Sequence, residues 1–197
     1  MAKENSLEDK LRKQGFKYII GIDESGRGPL AGPVIAVAVL KIKNYKLKIK
    51  NLGIEDSKKL SPRQRKEIYK VLKKHPQIIW GRGLVSAKVI DKINILEATK
   101  LAMRRAVQNL EKKLHKKLPR AKTVLIIDGN QKIGTGFFEI PVVKADETIF
   151  LCMCASIVAK VERDRLMEKY HKLFPVYGFD KHKGYPTKLH RKKLKKY

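Results

Sequence analysis

The sequence has 197 residues, of which 43% are hydrophobic and 33% charged, and its formal net charge is +27. These values are typical of a folded protein with one substantial core and exclude a disordered chain. No run of about 18 apolar residues occurs, which excludes a membrane span. The N-terminal stretch lacks the apolar segment of a signal peptide, so we expect a cytoplasmic protein.

Hydrophobic periodicity and turn residues predict an alternation of strands and helices along the chain. The predicted strands are 18–22, 34–42, 78–87, 123–128 and 137–146. The predicted helices are 2–14, 61–75, 94–118, 148–170 and 188–196. This order is typical of an α/β domain with a mixed or largely parallel sheet, to which we expect the first and last helices to be peripheral additions.

Particular residues predict where individual elements begin, bend or break. Ser61 followed by Pro62 predicts a helix start, and Asn94 predicts the cap of the next helix. The glycines of the third strand predict a bend or bulge. Pro141 predicts a break in the fifth strand, which we expect to end near residue 146.

Acidic residues follow three of the predicted strands. Asp23 and Glu24 follow the first strand, Asp128 ends the fourth and Asp146 ends the fifth. Because ligands gather at the carboxyl ends of strands in an α/β sheet, we expect these carboxylates to converge. Neighbouring residues of a regular strand face opposite sides. Asp23 and Glu24 therefore reach one site only if the chain turns at that point, and the segment 25–29 is suited to a turn.

Converging carboxylates without histidine or cysteine are the ligands that Mg²⁺ and Mn²⁺ prefer. A bound cation removes the repulsion between neighbouring carboxylates. Two such ions about 4 Å apart support in-line displacement at phosphorus by water. Each acid taken alone is equally consistent with a helix cap or a turn. The spacing therefore leaves a metal nuclease and a purely structural interpretation both open.

The basic residues indicate a polyanionic partner. Lys and Arg total 46 against 19 Asp and Glu, an excess that attracts nucleic acid. The tail FDKHKGYPTKLHRKKLKKY mixes aromatic and basic residues, a composition typical of phosphate contacts and base or sugar stacking. A lysine-rich solvated surface would carry the same net charge, so composition alone does not choose between the two.

The two cysteines, Cys152 and Cys154, lie in a predicted helix. Helical residues two positions apart point in different directions and pair poorly as a disulfide. Two thiols without a nearby histidine do not complete a zinc site. We therefore expect both to be buried free thiols in a reducing compartment.

Six motifs, in this order, resemble those of bacterial ribonuclease HII. They are GIDESGRGPLAGPV (21–34), DSKKLS (56–61), IDGN (127–130), VVKADE (142–147), ASIVAKVERDR (155–165) and HKGYPTKLH (182–190). The resemblance covers about residues 17–190. It implies a ribonuclease H-like fold, in which a mixed, mostly five-stranded sheet is flanked by helices and followed by a C-terminal helical basic extension. We expect one domain over 1–197, with an N-terminal helical extension at 1–16 and a basic substrate-binding tail at 171–197.

The resemblance also implies an activity. The enzyme would cut the RNA strand of RNA–DNA hybrids, including single ribonucleotides embedded in duplex DNA, and leave 3′-hydroxyl and 5′-phosphate ends. The four catalytic acids of the family fall on Asp23, Glu24, Asp128 and Asp146, which would hold one or two Mn²⁺ or Mg²⁺ ions. The implied partners are these nucleic acids, and no membrane partner is implied. The resemblance also suggests a monomer and leaves the identity of any replication partner open.

Further residues match the substrate-binding motifs of the family. The main chain of Gly26, Arg27 and Gly28 would read the 2′-hydroxyl of the ribonucleotide. This role is physically reasonable because glycine permits close approach and the 2′-hydroxyl distinguishes RNA from DNA. Tyr185 would stack on the deoxyribose that follows the ribonucleotide.

Other matches are less specific. Ser57, Lys58 and Lys183 are candidate phosphate contacts. On the helix that follows the last catalytic acid, we expect Arg163 and Asp164 to form a structural pair. The segment CMCASIVAK is bulkier than the family pattern, and Ser25 and Ala145 depart from it by one small residue each, but none of these changes removes a catalytic group.

Two alternatives remain beside this hypothesis. A ribonuclease HIII-like enzyme would have a different substrate range, but that family carries a long extra N-terminal domain and a glutamate as its fourth acid, whereas this sequence has Asp146 and Tyr185. A non-catalytic basic nucleic-acid-binding protein would use the acids only as turn formers. It would bind nucleic acid without metal and would not cleave it.

Overall fold

The structure is a computed structural model that describes residues 6–42 and 60–197. Its strands are β1 (Tyr18–Ser25), β2 (Val34–Lys41), β3 (Ile78–Val85), β4 (Thr123–Asp128) and β5 (Phe138–Val142). Its helices are α1 (Leu7–Lys13), α2 (Pro62–Lys74), α3 (Ala87–Lys113), α4 (Ala145–Thr148), α5 (Phe150–Leu173), α6 (Phe179–His182) and α7 (Lys188–Lys196). Among these described helices, none has the length and apolar character that crossing a membrane requires.

The five strands form one mixed sheet in the order β3-β2-β1-β4-β5. β1 and β3 both run antiparallel to β2, whereas β1, β4 and β5 run parallel to one another. The predicted mixed five-stranded sheet flanked by helices is confirmed. Because β1 and β4 are parallel neighbours, their carboxyl ends lie at the same edge of the sheet.

Helices cover both faces of the sheet, and alternate residues of β1 divide between them. Ile19 belongs to the hydrophobic cluster on the α5 side. Ile20 and Ile22 belong to the cluster on the α3 side, with Ala102 and Ala106. The central strand is therefore buried on both faces, which explains its continuous apolar run.

Two predicted helix caps are present. The Ser61 hydroxyl accepts a hydrogen bond from the amide of Gln64, whose side chain accepts from the amide of Ser61. This reciprocal pair confirms the start of α2. Asn94 has a φ of 64° inside α3, and its side-chain oxygen accepts from the amide of Glu97. It caps the second part of a kinked helix, whose first part begins at Ala87 and was not predicted.

The glycines of β3 neither bend nor bulge the strand, so this prediction was wrong. Gly81 and Gly83 pair in regular register with β2. A Cβ atom at Gly83 would lie 1.9 Å from the carbonyl oxygen of Ala102, and one at Gly81 would lie 2.1 Å from that of Ala106. Glycine is required here because the backbone of α3 rests directly on the strand.

The predicted break at Pro141 was also wrong. Pro141 lies within β5, opposite Ile127 of β4, and β5 is an edge strand. A proline is tolerated there because its missing amide is on the side without a partner strand. β5 ends at Val142, so Asp146 lies in the first turn of α4 and not at a strand end.

The two terminal helices are more than peripheral additions. Leu11 of α1 is 3% exposed and belongs to the main core cluster. Glu8 accepts a hydrogen bond from the amide of Leu151 in the first turn of α5. At the other terminus, His190 of α7 is fully buried and lies 3.0 Å from the carbonyl oxygen of Tyr185. The helix α1 therefore supports the start of α5, and α7 supports the segment around Tyr185. Both supported segments lead to the sheet edge where the acids lie.

Candidate active site

The four acids predicted from the sequence line one cavity of about 420 Å³ at the carboxyl ends of β1 and β4. Asp23 and Glu24 come from β1, Asp128 from the end of β4 and Asp146 from α4. The remaining lining residues are Ser25, Gly26, Arg27, Gly28, Arg65, Ser156, Ile157, Lys160 and Tyr185. The predicted convergence of the carboxylates is therefore seen, together with the Gly-Arg-Gly element and the tyrosine.

The route by which Asp23 and Glu24 share this cavity differs from the prediction. β1 continues through both residues, pairing Asp23 with Val37 and Glu24 with Ala36 of β2, so the chain does not turn there. The pairing of β1 with β4 stops one residue earlier, at Ile22. Beyond Ile22, no residue of β4 pairs with β1. The two opposite faces of β1 are therefore no longer separated by β4, and the side chains of Asp23 and Glu24 can line the same cavity.

Hydrogen bonds orient three of the four carboxylates, those of Asp23, Glu24 and Asp128. The amide of Glu24 donates to Oδ1 of Asp23 at 2.7 Å, and the amide of Asp146 donates to Oδ1 of Asp128 at 3.3 Å. Arg27 donates from Nη1 to Oε1 of Glu24 at 3.2 Å. These contacts hold the acids at the sheet edge before any substrate or ion arrives.

The electrostatics of the acids favour a bound cation. Burial raises the pKa of Asp23 well above its usual value, and the carboxylates of Glu24 and Asp128 raise it further. Burial also raises the pKa of Glu24, which Arg27 partly offsets. Oε2 of Glu24 is buried without a hydrogen-bond partner in the described structure. A divalent cation would satisfy that oxygen and relieve the crowding of negative charge.

The four acids line one cavity, but their side chains are not arranged as a complete set of metal ligands. Among residues 6–42 and 60–197, no three His, Cys, Asp or Glu side chains already have the geometry of a metal centre. Oxygen donors from four acids nevertheless fit a hard cation such as Mg²⁺ or Mn²⁺.

The Gly-Arg-Gly element forms the turn that follows β1. Gly26 has a φ of +119°, and a Cβ atom there would lie 2.5 Å from the carbonyl oxygen of Pro33 and 2.7 Å from Nε of Arg163. Both the conformation and the space therefore require glycine. The Arg27 side chain is half-exposed at the rim of the cavity, where it pairs with Glu24.

Tyr185 presents its ring to the cavity while its main chain is held in place. Its amide donates to the carbonyl oxygen of His182, and its own carbonyl accepts from the amide of Thr187. The side chain is 36% exposed. A Cβ atom at Gly28 would lie 3.6 Å from its ring, so the tyrosine lies next to the Gly-Arg-Gly turn.

The structure describes one of the three predicted phosphate contacts, Lys183. Lys183 directs its amino group to the carboxylate of Glu168 and to the carbonyl oxygen of Asp180, at 3.2 and 2.6 Å. It does not line the cavity. Ser57 and Lys58 lie outside the described residues. All three phosphate contacts stay predictions.

The sequence reasoning assigned no site role to five cavity residues: Ser25, Arg65, Ser156, Ile157 and Lys160. Ser156 bonds the carboxylate of Asp23, and the amino group of Lys160 lies 5.1 Å from the centre of the Tyr185 ring. Ser156 and Lys160 are four residues apart in α5 and therefore share one helix face. This four-residue spacing is the sequence pattern from which Ser156 and Lys160 could have been predicted as neighbours.

The predicted pair of Arg163 with Asp164 was wrong. Asp164 instead accepts a hydrogen bond from Lys160 at 2.9 Å, one helical turn earlier. Arg163 points away from solvent and is fully buried. Neighbouring helical residues point about 100° apart, so a partner at i+4 was geometrically better placed than one at i+1. Cys152 and Cys154, by contrast, are buried free thiols as predicted.

The chain is strongly basic, and four carboxylates lie together at the carboxyl ends of strands in a mixed five-stranded sheet. These features together define the class of ribonuclease H-like nucleases. The family model for ribonuclease HII matches residues 20–197. The ribonuclease HII of Chlamydia muridarum is 45% identical over 97% of this chain and 82% of its own length. The chain thus belongs to the ribonuclease HII family and is an endoribonuclease acting on RNA in RNA–DNA hybrids.

Solved structures agree with this fold. Ribonuclease HII in the PCNA complex from Archaeoglobus fulgidus is 26% identical with a TM-score of 0.70, and the match covers 91% of this chain and 87% of that one. The Bst-RNase HIII structure in complex with Mn²⁺ is 20% identical with a TM-score of 0.68. It covers 87% of this chain and 60% of that one, and it shows the shared fold alone. Family membership favours the enzyme over the non-catalytic alternative, and type HII over type HIII.

Proposed function

We propose that this enzyme cuts a DNA duplex on the 5′ side of a single embedded ribonucleotide, in addition to cutting longer hybrids. The observation that carries the proposal is one cavity that joins four acids, the Gly-Arg-Gly turn and Tyr185. The acids suit hydrolysis at phosphorus, while the turn and the tyrosine suit recognition of two successive sugars. A site that read only phosphates would need neither.

In this proposal Asp23, Glu24, Asp128 and Asp146 hold one or two divalent cations, either Mg²⁺ or Mn²⁺. Such a cation would supply an activated water and would stabilise the negative charge on the departing oxygen. The acids would act on the phosphate through the cations they hold, because a carboxylate by itself repels a phosphate. Water adds to phosphorus, the bond to the 3′-oxygen of the preceding nucleotide breaks, and that oxygen takes up a proton released by the water, which leaves a 3′-hydroxyl and a 5′-phosphate.

Substrate recognition is assigned to the rim of the cavity. The main chain of Gly26, Arg27 and Gly28 approaches the ribose and reads its 2′-hydroxyl. The ring of Tyr185 packs on the next sugar, a deoxyribose. The amino group of Lys160, next to that ring, is suited to a phosphate of the same strand. Arg65 also lines the cavity and is a second candidate phosphate contact.

The remaining properties follow from the same picture. We propose a cytoplasmic monomer, in which residues 1–197 act as one unit and the tail at 171–197 contributes to substrate binding. Two buried free thiols suit a reducing compartment. The Archaeoglobus fulgidus relative was solved in a complex with PCNA, which makes PCNA the first replication partner to test. Light scattering of the purified protein, alone and with PCNA, checks the monomeric state and this interaction.

The proposal is tested with an end-labelled DNA duplex that contains one ribonucleotide. Cleavage is followed with Mg²⁺, with Mn²⁺ and with a chelator, next to an all-DNA duplex of the same sequence and a long RNA–DNA hybrid. The expected result is a metal-dependent cut on the 5′ side of the ribonucleotide, with the all-DNA duplex intact. Cleavage of the long hybrid alone would refute the junction specificity, and binding without cleavage under either metal would refute the catalytic assignment.

A further inference from the structure

Arg163 of α5 is a fully buried arginine whose three guanidinium nitrogens all donate to main-chain carbonyl oxygens. Nε donates to Pro33 at 3.0 Å, Nη2 to Ala31 at 3.1 Å and Nη1 to Lys183 at 2.9 Å. The first two carbonyls belong to the loop after β1, and the third belongs to the segment after α6. One side chain therefore joins two stretches of chain that are about 150 residues apart in sequence.

Burying a guanidinium is unfavourable unless its donors are satisfied. Burial lowers the pKa of Arg163 from its ordinary value, while the electrostatic effects of Tyr185 and Asp164 oppose the shift. The three carbonyl contacts compensate for the lost water. Arginine suits this role because its donors form a rigid planar fork, whereas lysine offers one flexible ammonium group.

The two joined segments carry the proposed sugar readers. The loop from Gly26 to Pro33 contains the Gly-Arg-Gly turn, and Lys183 lies two residues before Tyr185. A second contact ties them together, because the amide of Leu30 donates to the carbonyl oxygen of Gly184 at 2.9 Å. The junction is tightly packed, since a Cβ atom at Gly184 would lie 2.4 Å from the carbonyl oxygen of Ala31.

We propose that Arg163 is a positioning residue that sets the distance between the Gly-Arg-Gly main chain and the Tyr185 ring. It thereby sets the requirement for a ribose followed directly by a deoxyribose. This inference rests on the proposed function, because it assigns the source of the junction specificity. Arg163 itself touches no substrate atom, since it is buried beneath both readers.

The consequence differs between the two kinds of substrate. A single embedded ribonucleotide is recognised only when both readers lie on adjacent sugars, so a shift of one reader against the other removes correct alignment. A long hybrid offers a ribose at every step and has no deoxyribose for Tyr185 next to the cut. Its cleavage therefore depends less on the spacing of the readers.

The test compares Arg163→Lys and Arg163→Gln with the wild-type enzyme. The values of kcat and KM are measured on the single-ribonucleotide duplex and on a long hybrid. Lys keeps the charge and Gln keeps hydrogen-bond donors on an uncharged end, but neither restores the fork. We expect the ratio of kcat/KM for the duplex to that for the hybrid to fall at least about tenfold, mainly through kcat, because a shift of about 1 Å can reduce the rate about 100-fold.

A matched control removes an arginine that makes a similar contact away from the cavity. Arg104 of α3 donates from Nη1 to the carbonyl oxygen of Ile133 at 2.8 Å. The Arg104→Gln variant is expected to leave the substrate ratio unchanged, even if it lowers the thermal midpoint. Thermal unfolding of every variant shows whether a change in the ratio occurs in folded protein.

The outcomes separate this inference from the proposed function. Equal losses of Arg163→Lys and Arg163→Gln on both substrates would mean a purely structural role and would overturn the inference alone. A wild-type enzyme that does not cut the single-ribonucleotide duplex would overturn both. If neither Arg163 variant folds, Gly184→Ala disturbs the same junction through the carbonyl of Ala31, and an unchanged ratio there would also overturn the inference.

Discussion

Glu24 illustrates at the scale of one residue why the proposed cation suits this site. One of its carboxylate oxygens accepts a hydrogen bond from Arg27, whereas the other is buried without a partner in the described structure. An unsatisfied buried acceptor typically destabilises the folded state by about 1–3 kcal/mol. A cation that binds this oxygen therefore stabilises the fold as well as the substrate complex.

The Asp128→Asn substitution tests the assignment of the acids. The amide variant keeps an oxygen that accepts from the amide of Asp146, so the local structure should persist. It loses the charge that the proposed cation needs. We expect cleavage to fall on the order of 1,000-fold, because metal stabilisation is worth several kcal/mol and about 1.4 kcal/mol corresponds to tenfold in rate.

Asp91→Asn serves as the matched control because Asp91 is an exposed acid on α3. It should retain full cleavage, and both variants should bind a long hybrid as tightly as the wild type in the presence of chelator. Full activity of Asp128→Asn would remove that residue from the proposed ligands.

Tyr185 supplies the second test at the scale of one residue. Tyr185→Ala removes a ring that is partly exposed to the cavity, while the main chain stays held by neighbouring amides. Stacking is worth about 1–3 kcal/mol, so we expect kcat/KM on the single-ribonucleotide duplex to fall about 5- to 150-fold. Long hybrids should lose much less, and Tyr185→Phe should retain most activity. Equal losses on both substrates would contradict the junction role.

Among the described helices, α5 contributes most residues to the site. Its first turn rests on β1 so closely that a Cβ atom at Gly21 would lie 2.4 Å from the backbone of Leu151. Farther along, Ser156 and Lys160 line the cavity and Arg163 holds the two reader segments. Because most of the first half of α5 is buried, the helix is a rigid support for residues that need accurate positions.

Strand β5 depends on a charged hydrogen-bond cluster. Glu139 accepts from the amides of Ile133, Gly134 and Thr135 and from the hydroxyl of Thr135. Burial by itself would raise the pKa of Glu139, but these hydrogen bonds together hold it below its ordinary value. The ionised carboxylate therefore ties the loop after β4 to the edge of the sheet.

The Glu139→Gln substitution should destabilise the protein by about 2–3 kcal/mol at pH 7, since hydrogen bonds to charged groups are worth about 1.5–3 kcal/mol. A depressed folded-state pKa contributes stability above the unfolded pKa of about 4.3. That contribution is lost as the pH falls through the folded-state value. Urea denaturation of wild type and variant should therefore begin to converge as the pH falls below about 4.3 and should meet once the pH is below the folded-state pKa.

The control for this measurement is Glu67→Gln, which removes an exposed glutamate paired with Lys70 on the surface of α2. Its effect should be small at every pH, as is typical of exposed ion pairs. A difference between wild type and Glu139→Gln that does not change with pH would show that the carboxylate charge is not what stabilises the loop.

For the whole molecule, the net charge of +27 should dominate binding of nucleic acid. Each neutralised phosphate releases counterions, so the logarithm of the association constant should fall steeply and linearly with the logarithm of salt concentration. Changing Lys192, Lys195 and Lys196 of α7 to Gln should reduce this slope, by up to about 0.9 for each phosphate that the tail no longer neutralises.

The comparison uses a triple variant at the opposite edge of the sheet. Lys116 lies over the ring of Tyr18, where β1 begins, and Lys112 and Lys113 are close to it in sequence. Changing these three residues to Gln lowers the net charge equally but should leave the salt slope nearly unchanged. Equal slopes for both triple variants in titrations with a labelled hybrid would exclude a specific role of the tail.

The sequence by itself determined the fold class, the order of the elements and the identity of the four acids. Apolar runs predict strands because burial on both faces needs continuous hydrophobic residues, and the motifs carry the family resemblance residue by residue. Caps such as Ser61 and Asn94 were also predictable, because they act through local hydrogen bonds that depend only on neighbouring residues.

Only the tertiary structure decided how these parts meet. The close approach that requires Gly81 and Gly83 involves the backbone of α3, and the tolerance of Pro141 depends on the edge position of β5. Asp23 and Glu24 share a cavity because β4 ends beside them, not because the chain turns. Arg163 bonds carbonyls far away in sequence. Such contacts depend on the packing of distant segments, which local sequence patterns do not encode.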